Sequence, residues 1–183
     1  MMKILILSSL CLLGAGYASA ENATQTKQLT IEYNVTNFKA RNGNQIAVWI
    51  ENESGKVVRS LYASRWTAKG GFKKDPVSLN EWVKKADWGN AKKEEVDAVS
   101  GATQKAGPIK LTWDGKDKNG NSVASGKYVV RMEGNIKDEK TMFARAEITL
   151  GGNKQKVKAT ISYKPEDAGK EGVLFENVFI KYE

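Results

Sequence analysis

Histidine is absent from the 183 residues, and cysteine occurs once, as Cys11. Without histidine the chain lacks the side chain that ordinarily titrates near neutrality, so neither a Ser-His-Asp nor a Cys-His mechanism can be assembled. A histidine-ligated zinc site is excluded on the same ground. Enzymatic chemistry would have to rest on Asp, Glu, Lys, Tyr or a borrowed cofactor. Long apolar runs are scarce as well. The one candidate, residues 4–13, is far shorter than the roughly 20 residues that span a bilayer. Preceded by Lys3 and followed by the small-x-small triplet Ala18-Ser19-Ala20, it reads as a signal peptide over residues 1–20, cleaved before Glu21. Leu10 stands where a lipoprotein signal needs a small residue, so Cys11 leaves with the signal. The mature part, residues 21–183, then has neither disulfide nor thiol, although its compartment would permit them. These features predict an exported, periplasmic protein that is soluble after cleavage.

What is present is basic and β-rich. Lys and Arg number 29 against 21 Asp and Glu, a net charge of +8 that falls to +7 with the loss of Lys3. The lysines are scattered, as in Lys73-Lys74, Lys84-Lys85, Lys92-Lys93 and Lys154, which describes a solvated basic surface and not a nucleic-acid stripe. Nucleic acid is not expected as a partner. Near the start, Leu29, Ile31, Tyr33 and Val35 alternate with polar neighbours, the run 46–50 is denser, and a third strand follows Ser54-Gly55. Later strands are predicted over residues 109–113, 127–133, 144–150, 157–163 and 173–182. The first two of these are joined by a Gly/Asn-rich segment, Asp114 to Ser122, read as a hairpin connection. That segment fails as a calcium loop, because position six from Asp117 is Ser122 and position twelve is Tyr128.

Between the two strand groups lies a different region, residues 67–106. Ser78 with Glu81 makes a capping box, and Leu79, Trp82, Val83 and Ala86 fall at helical spacing, which predicts a short helix over 79–86. A long loop is expected after it, and long loops in compact domains are commonly functional. The fold expected is all-β: an immunoglobulin-like β-sandwich of about eight strands, one domain over 21–183, with the helix and loop inserted. Trp49 and Trp113 sit in strand patterns and belong to the core. Trp66, Trp82 and Trp88 flank the insertion, where aromatic faces can stack on a sugar or a flat cofactor ring.

Within the insertion, Asp97-Ala98-Val99-Ser100-Gly101-Ala102-Thr103 resembles the flavinylation motif of bacterial FMN-carrying proteins. That motif is an Asp, two variable residues, Ser or Thr, then Gly-Ala-Thr. The resemblance implies that a secreted flavin transferase joins FMN to the Thr103 oxygen through a phosphoester. Asp97, Ser100, Gly101 and Ala102 would form the recognition sequence. Gly101 would keep the approach clear and supply unusual backbone angles, and Lys105 and Lys110 would offset the phosphodiester charge. Motif-bearing electron-transfer subunits often repeat Ser or Thr two residues on, where Lys105 stands here.

A second resemblance covers most of the mature chain. The segments 47–50, 58–71 and 97–119 are similar to a family of predicted periplasmic proteins, domain-of-unknown-function family 2271, which is associated with flavin-transfer systems and membrane redox proteins. Within it, residues 113–120 and 125–128 resemble the immunoglobulin-like module of flagellar hook-capping proteins. Together the resemblances imply a periplasmic electron carrier without substrate turnover of its own, loaded by a flavin transferase and served by a membrane-bound redox protein. The alternative is a non-enzymatic binding module holding glycan or protein through Trp66, Trp82 and Trp88.

Overall fold

The computed structural model describes residues 28–40 and 43–183; the expected signal peptide over 1–20, with Cys11, lies outside the described residues. Strand β1 (Leu29–Val35) buries Leu29, Ile31, Tyr33 and Val35, as its alternation predicts. It is flanked by β5 (Gly107–Trp113) and β10 (Phe175–Tyr182), and β10 pairs in turn with β8 (Gln155–Lys158) to complete a four-stranded sheet. The second sheet has six strands in the order β4 (Ser100–Gly101), β3 (Val57–Ser64), β2 (Ile46–Asn52), β6 (Gly126–Lys137), β7 (Lys140–Leu150) and β9 (Thr160–Lys164). All pairings are antiparallel except β3 with β4. The all-β sandwich expected is the one observed, with ten strands among the described residues rather than about eight.

The inter-sheet core joins Leu29, Ile31, Phe175 and Ile180 to Ile46, Val48, Ile50, Val130, Met132 and Ile148. Trp113 belongs to it, its ring 5.6 Å from that of Tyr128 in an edge-on arrangement. The dense run in β2 has a separate cause. Its alternate residues Ala47 and Trp49 point outward, yet both are buried. They meet a second apolar cluster formed with Ala63, Ala68, Leu79, Trp82, Trp88 and Val99. The insertion therefore lies on the outer face of the larger sheet as a lid of short helices: α1 (Arg65–Ala68), α2 (Asn80–Lys85) and α3 (Lys93–Val99), with 3₁₀ turns at Gly71–Lys73 and Trp88–Asn90. The long loop expected after the first helix is thus largely helical.

Three further expectations are corrected. The chain from β5 to β6 is not a hairpin, because β5 pairs with β1 in one sheet and β6 with β2 in the other. Turn chemistry is real there: Asp117 Oδ1 accepts the N–H groups of Asn119 and Asn121, each at 2.9 Å. The single strand predicted over 157–163 is two strands, since the chain changes sheets at the buried Ala159 between β8 and β9. The capping box also dissolves. Ser78 Oγ lies 2.6 Å from Thr67 Oγ1, while Glu81 pairs with Arg131. Leu79, at the N-cap of α2, has φ of 50° and makes no side-chain cap.

The cap comes from across the sheet. Glu133 of β6, nearly fully buried, accepts the N–H of Glu81 at 3.2 Å and of Trp82 at 2.7 Å. Two residues on, Asn135 Oδ1 accepts the Leu79 N–H at 2.7 Å. Burial pushes the Glu133 carboxyl up to about 7, against the pull of those two N–H donors. The native state therefore binds this proton more tightly than the unfolded chain does. The stabilisation is complete below the ordinary carboxylate range and is lost as pH rises through about 7. With no histidine to titrate in the same window, thermal unfolding of the described domain should show a midpoint that falls between pH 5 and pH 7.5. Glu133→Gln should flatten that slope; an unchanged slope would assign it to other groups.

Candidate functional site

The motif residues are distributed over three kinds of structure. Asp97 projects from α3, and its carboxylate pairs with Lys69 Nζ at 3.1 Å, both groups half exposed. Val99, buried in the second apolar cluster, plugs the end of the helix. The chain then straightens so that Ser100 and Gly101 run parallel to Ala63 and Ser64 at the edge of β3. Ala102 and Thr103 follow as exposed coil. The next residue is anchored again, because Tyr33 donates its hydroxyl to Gln104 Oε1 at 2.8 Å. Beyond it the chain enters β5 in the opposite sheet.

Gly101 does not need the backbone freedom expected of it. Its φ lies outside the left-handed region, so no unusual backbone angle is needed. The Tyr62 ring rests on it instead: a Cβ at position 101 would stand 2.3 Å from Tyr62 Cε2 and 2.8 Å from Cδ2. From that position Tyr62 donates its hydroxyl to the Ala102 carbonyl at 2.8 Å. Burial pushes the Tyr62 and Tyr33 hydroxyls above the usual phenol pKa, which keeps both protonated as donors. Two buried phenols thus grip the chain on either side of Thr103.

Thr103 stands at the rim of an open hollow of about 600 Å³. The hollow is also lined by Arg65, Trp66 and Lys69, on and just after α1, and by Gly70, Gly71 and Lys74. The cations that line the hollow with Thr103 are Arg65, Lys69 and Lys74; Lys105 and Lys110, assigned the phosphodiester on sequence proximity, do not line it. Lys110 sits on β5 across from Glu32. Sequence reasoning missed Arg65 and Lys74 because about thirty to forty positions separate them from Thr103, and tertiary contacts such as the parallel β3–β4 pairing and the Lys69–Asp97 ion pair join the two segments.

The three tryptophans do not form one surface. Trp82 and Trp88 are buried against each other, ring centroids 4.5 Å apart. Their indole N–H groups are used internally, by Ser60 Oγ at 3.0 Å and the Ala68 carbonyl at 2.9 Å. Trp66 alone remains available, 44% exposed. Among the described residues no three Asp, Glu, His or Cys side chains gather into a cation cage. Nor is any helix there long and apolar enough to cross a membrane.

The packing of Tyr62 on Gly101 yields a direct test. Gly101→Ala should displace the ring and cost about 1–3 kcal/mol by overpacking, read as a lower denaturant midpoint with unchanged slope. Gly89→Ala is the control, since a Cβ there meets nothing within 4 Å. Equal effects at both positions would show that the Tyr62 contact does not constrain the motif.

Searches among curated proteins and among solved structures return no match to the chain. A family model described as "Predicted periplasmic protein (DUF2271)" does match, over residues 26–165. That span takes in the strands from β1 to β9, the whole lid and every residue of the hollow. The chain therefore belongs to this family of predicted periplasmic proteins.

Proposed function

We propose that the protein is a periplasmic electron-transfer protein carrying FMN on Thr103 through a phosphoester. One observation carries the reading: the five fixed residues of the flavinylation motif end at a threonine that is exposed on the rim of a cation-lined hollow. The acceptor must be an alcohol that another enzyme can reach, and Thr103 is one. In loading, Thr103 Oγ1 forms the new bond to the FMN phosphorus. The bond from that phosphorus to the leaving group of a donor flavin nucleotide breaks, and the threonine proton departs with that group, so the chain gains FMN less one water. The transfer is the work of a separate flavin transferase.

When attached, FMN supplies the electron-transfer chemistry, and the protein supplies position and electrostatics. Arg65, Lys69 and Lys74 would offset the charge of the phosphodiester, with Asp97 holding Lys69 in place. A covalent link keeps the cofactor at high effective concentration in a compartment from which a free one diffuses away. The basic surface suits brief docking on acidic faces of a membrane-bound redox protein and of a periplasmic acceptor. The binding-module reading loses its aromatic platform with the burial of Trp82 and Trp88.

The test is the intact mass of protein co-expressed with an active flavin transferase. A gain of one FMN less one water, mapped to the Thr103 peptide and absent in Thr103→Ala, is expected; Thr103→Ser should retain it. An unmodified mass beside a motif-bearing protein that the same transferase does load would overturn the reading.

A further inference from the structure

Trp66 is a large apolar side chain left 44% exposed in a protein that buries Trp49, Trp82, Trp88 and Trp113. Its position is not loose. A Cβ on residue 71 would stand 2.5 Å from Trp66 Cδ2, Cε3 and the Trp66 carbonyl oxygen, so only glycine lets the indole settle there. The preceding Gly70 has φ of 101°, a conformation that L side chains rarely adopt. Gly71 thus lets the indole settle against the backbone, and the ring stays partly exposed.

The same hollow brings three cations to this ring. Lys69 is committed to Asp97, but Arg65 and Lys74 have no acidic partner among the described residues. No acidic side chain lines the hollow. A flat, electron-poor ring bearing a phosphate matches both features: the indole offers a π-face, and the free cations meet the phosphate oxygens. Thr103 lines the hollow too, so a group on its oxygen starts beside the space that the indole borders.

We propose that this hollow is the seat of the threonine-borne flavin, with Trp66 stacked on the isoalloxazine and Arg65 and Lys74 on the phosphodiester. The inference rests on the covalent FMN reading above. It adds that the flavin lies folded back on the protein and is not held out in solvent. Trp66 is then a cofactor-binding residue that the flavinylation motif does not contain.

Fluorescence provides the readout, because an excited flavin is quenched by electron transfer from a stacked indole and far less from a phenyl ring. Wild type and Trp66→Phe are each co-expressed with a flavin transferase, and loading is quantified by intact mass. The phenylalanine keeps a ring over Gly71, and a melting curve verifies the fold. The expected result is equal loading with flavin emission several-fold brighter in Trp66→Phe. Trp82→Phe, at a buried indole, should stay as dim as wild type. Equal loading with equal brightness in wild type and Trp66→Phe would overturn the seat while leaving the carrier reading intact. Absence of the mass gain in wild type would overturn both. If Trp66→Phe melts early, Arg65→Gln combined with Lys74→Gln replaces it: release of the phosphodiester should brighten the flavin, and unchanged emission would count against the seat.

Discussion

Trp49 stands on the outer face of a sheet, where water would ordinarily be its neighbour, and it is wholly buried. Truncating a tryptophan so placed costs about 3–5 kcal/mol, so the structure is bound to keep that face covered. Its ring is held from several directions at once: the indole N–H donates to Glu51 at 2.8 Å, and the Arg131 guanidinium lies 5.9 Å from the ring centre. Glu51 is in turn paired with Lys85 of α2 at 2.9 Å, and Arg131 with Glu81. The lid is therefore attached through the polar neighbours of Trp49 as well as through its apolar contacts. Because the lid must leave β3, cross Trp49 and return to the sheet edge, its two ends come together. Trp66 lies at the departing end and Thr103 just past the returning one, which is how one hollow acquires both.

Glu133 and Asn135 give the lid its register. A helix as short as α2 has little intrinsic stability, and its N-cap residue is a leucine in the left-handed region. The sheet supplies what the local sequence lacks, with acceptors two residues apart on β6 meeting the Leu79, Glu81 and Trp82 N–H groups where the helix begins. The arrangement is costly for Glu133, whose charge is buried, and this cost is the origin of its raised proton affinity.

What could be read from the sequence follows from the range of the forces involved. The alternation of Leu29, Ile31, Tyr33 and Val35 is a local pattern with a local meaning, and it identified β1 and its inward face correctly. The dense run 46–50 was equally visible, but its cause, a sheet covered on both faces, depends on a lid more than fifteen residues away. Ser78 and Glu81 matched a capping pattern and were claimed by stronger tertiary partners, Thr67 and Arg131. Asp114 to Ser122 signalled turns without revealing which sheet the next strand would join. At the candidate site the segment from Asp97 to Thr103 could be singled out from the sequence alone. The meaning of Gly101 could not be read there, since the Tyr62 ring that requires it arrives from another strand. Nor could composition separate one exposed tryptophan from four buried ones.

The motif leaves the six-stranded sheet at Gly101 and the chain joins the four-stranded sheet at Gly107. Thr103 consequently belongs to a short bridge across the open seam of the sandwich, clamped by one phenol on each side. A group mounted there hangs from a truss and not from a swinging arm. The distance from such a group to a partner would be set by how two rigid bodies meet, which would make selectivity a matter of surface shape and orientation and not of reach.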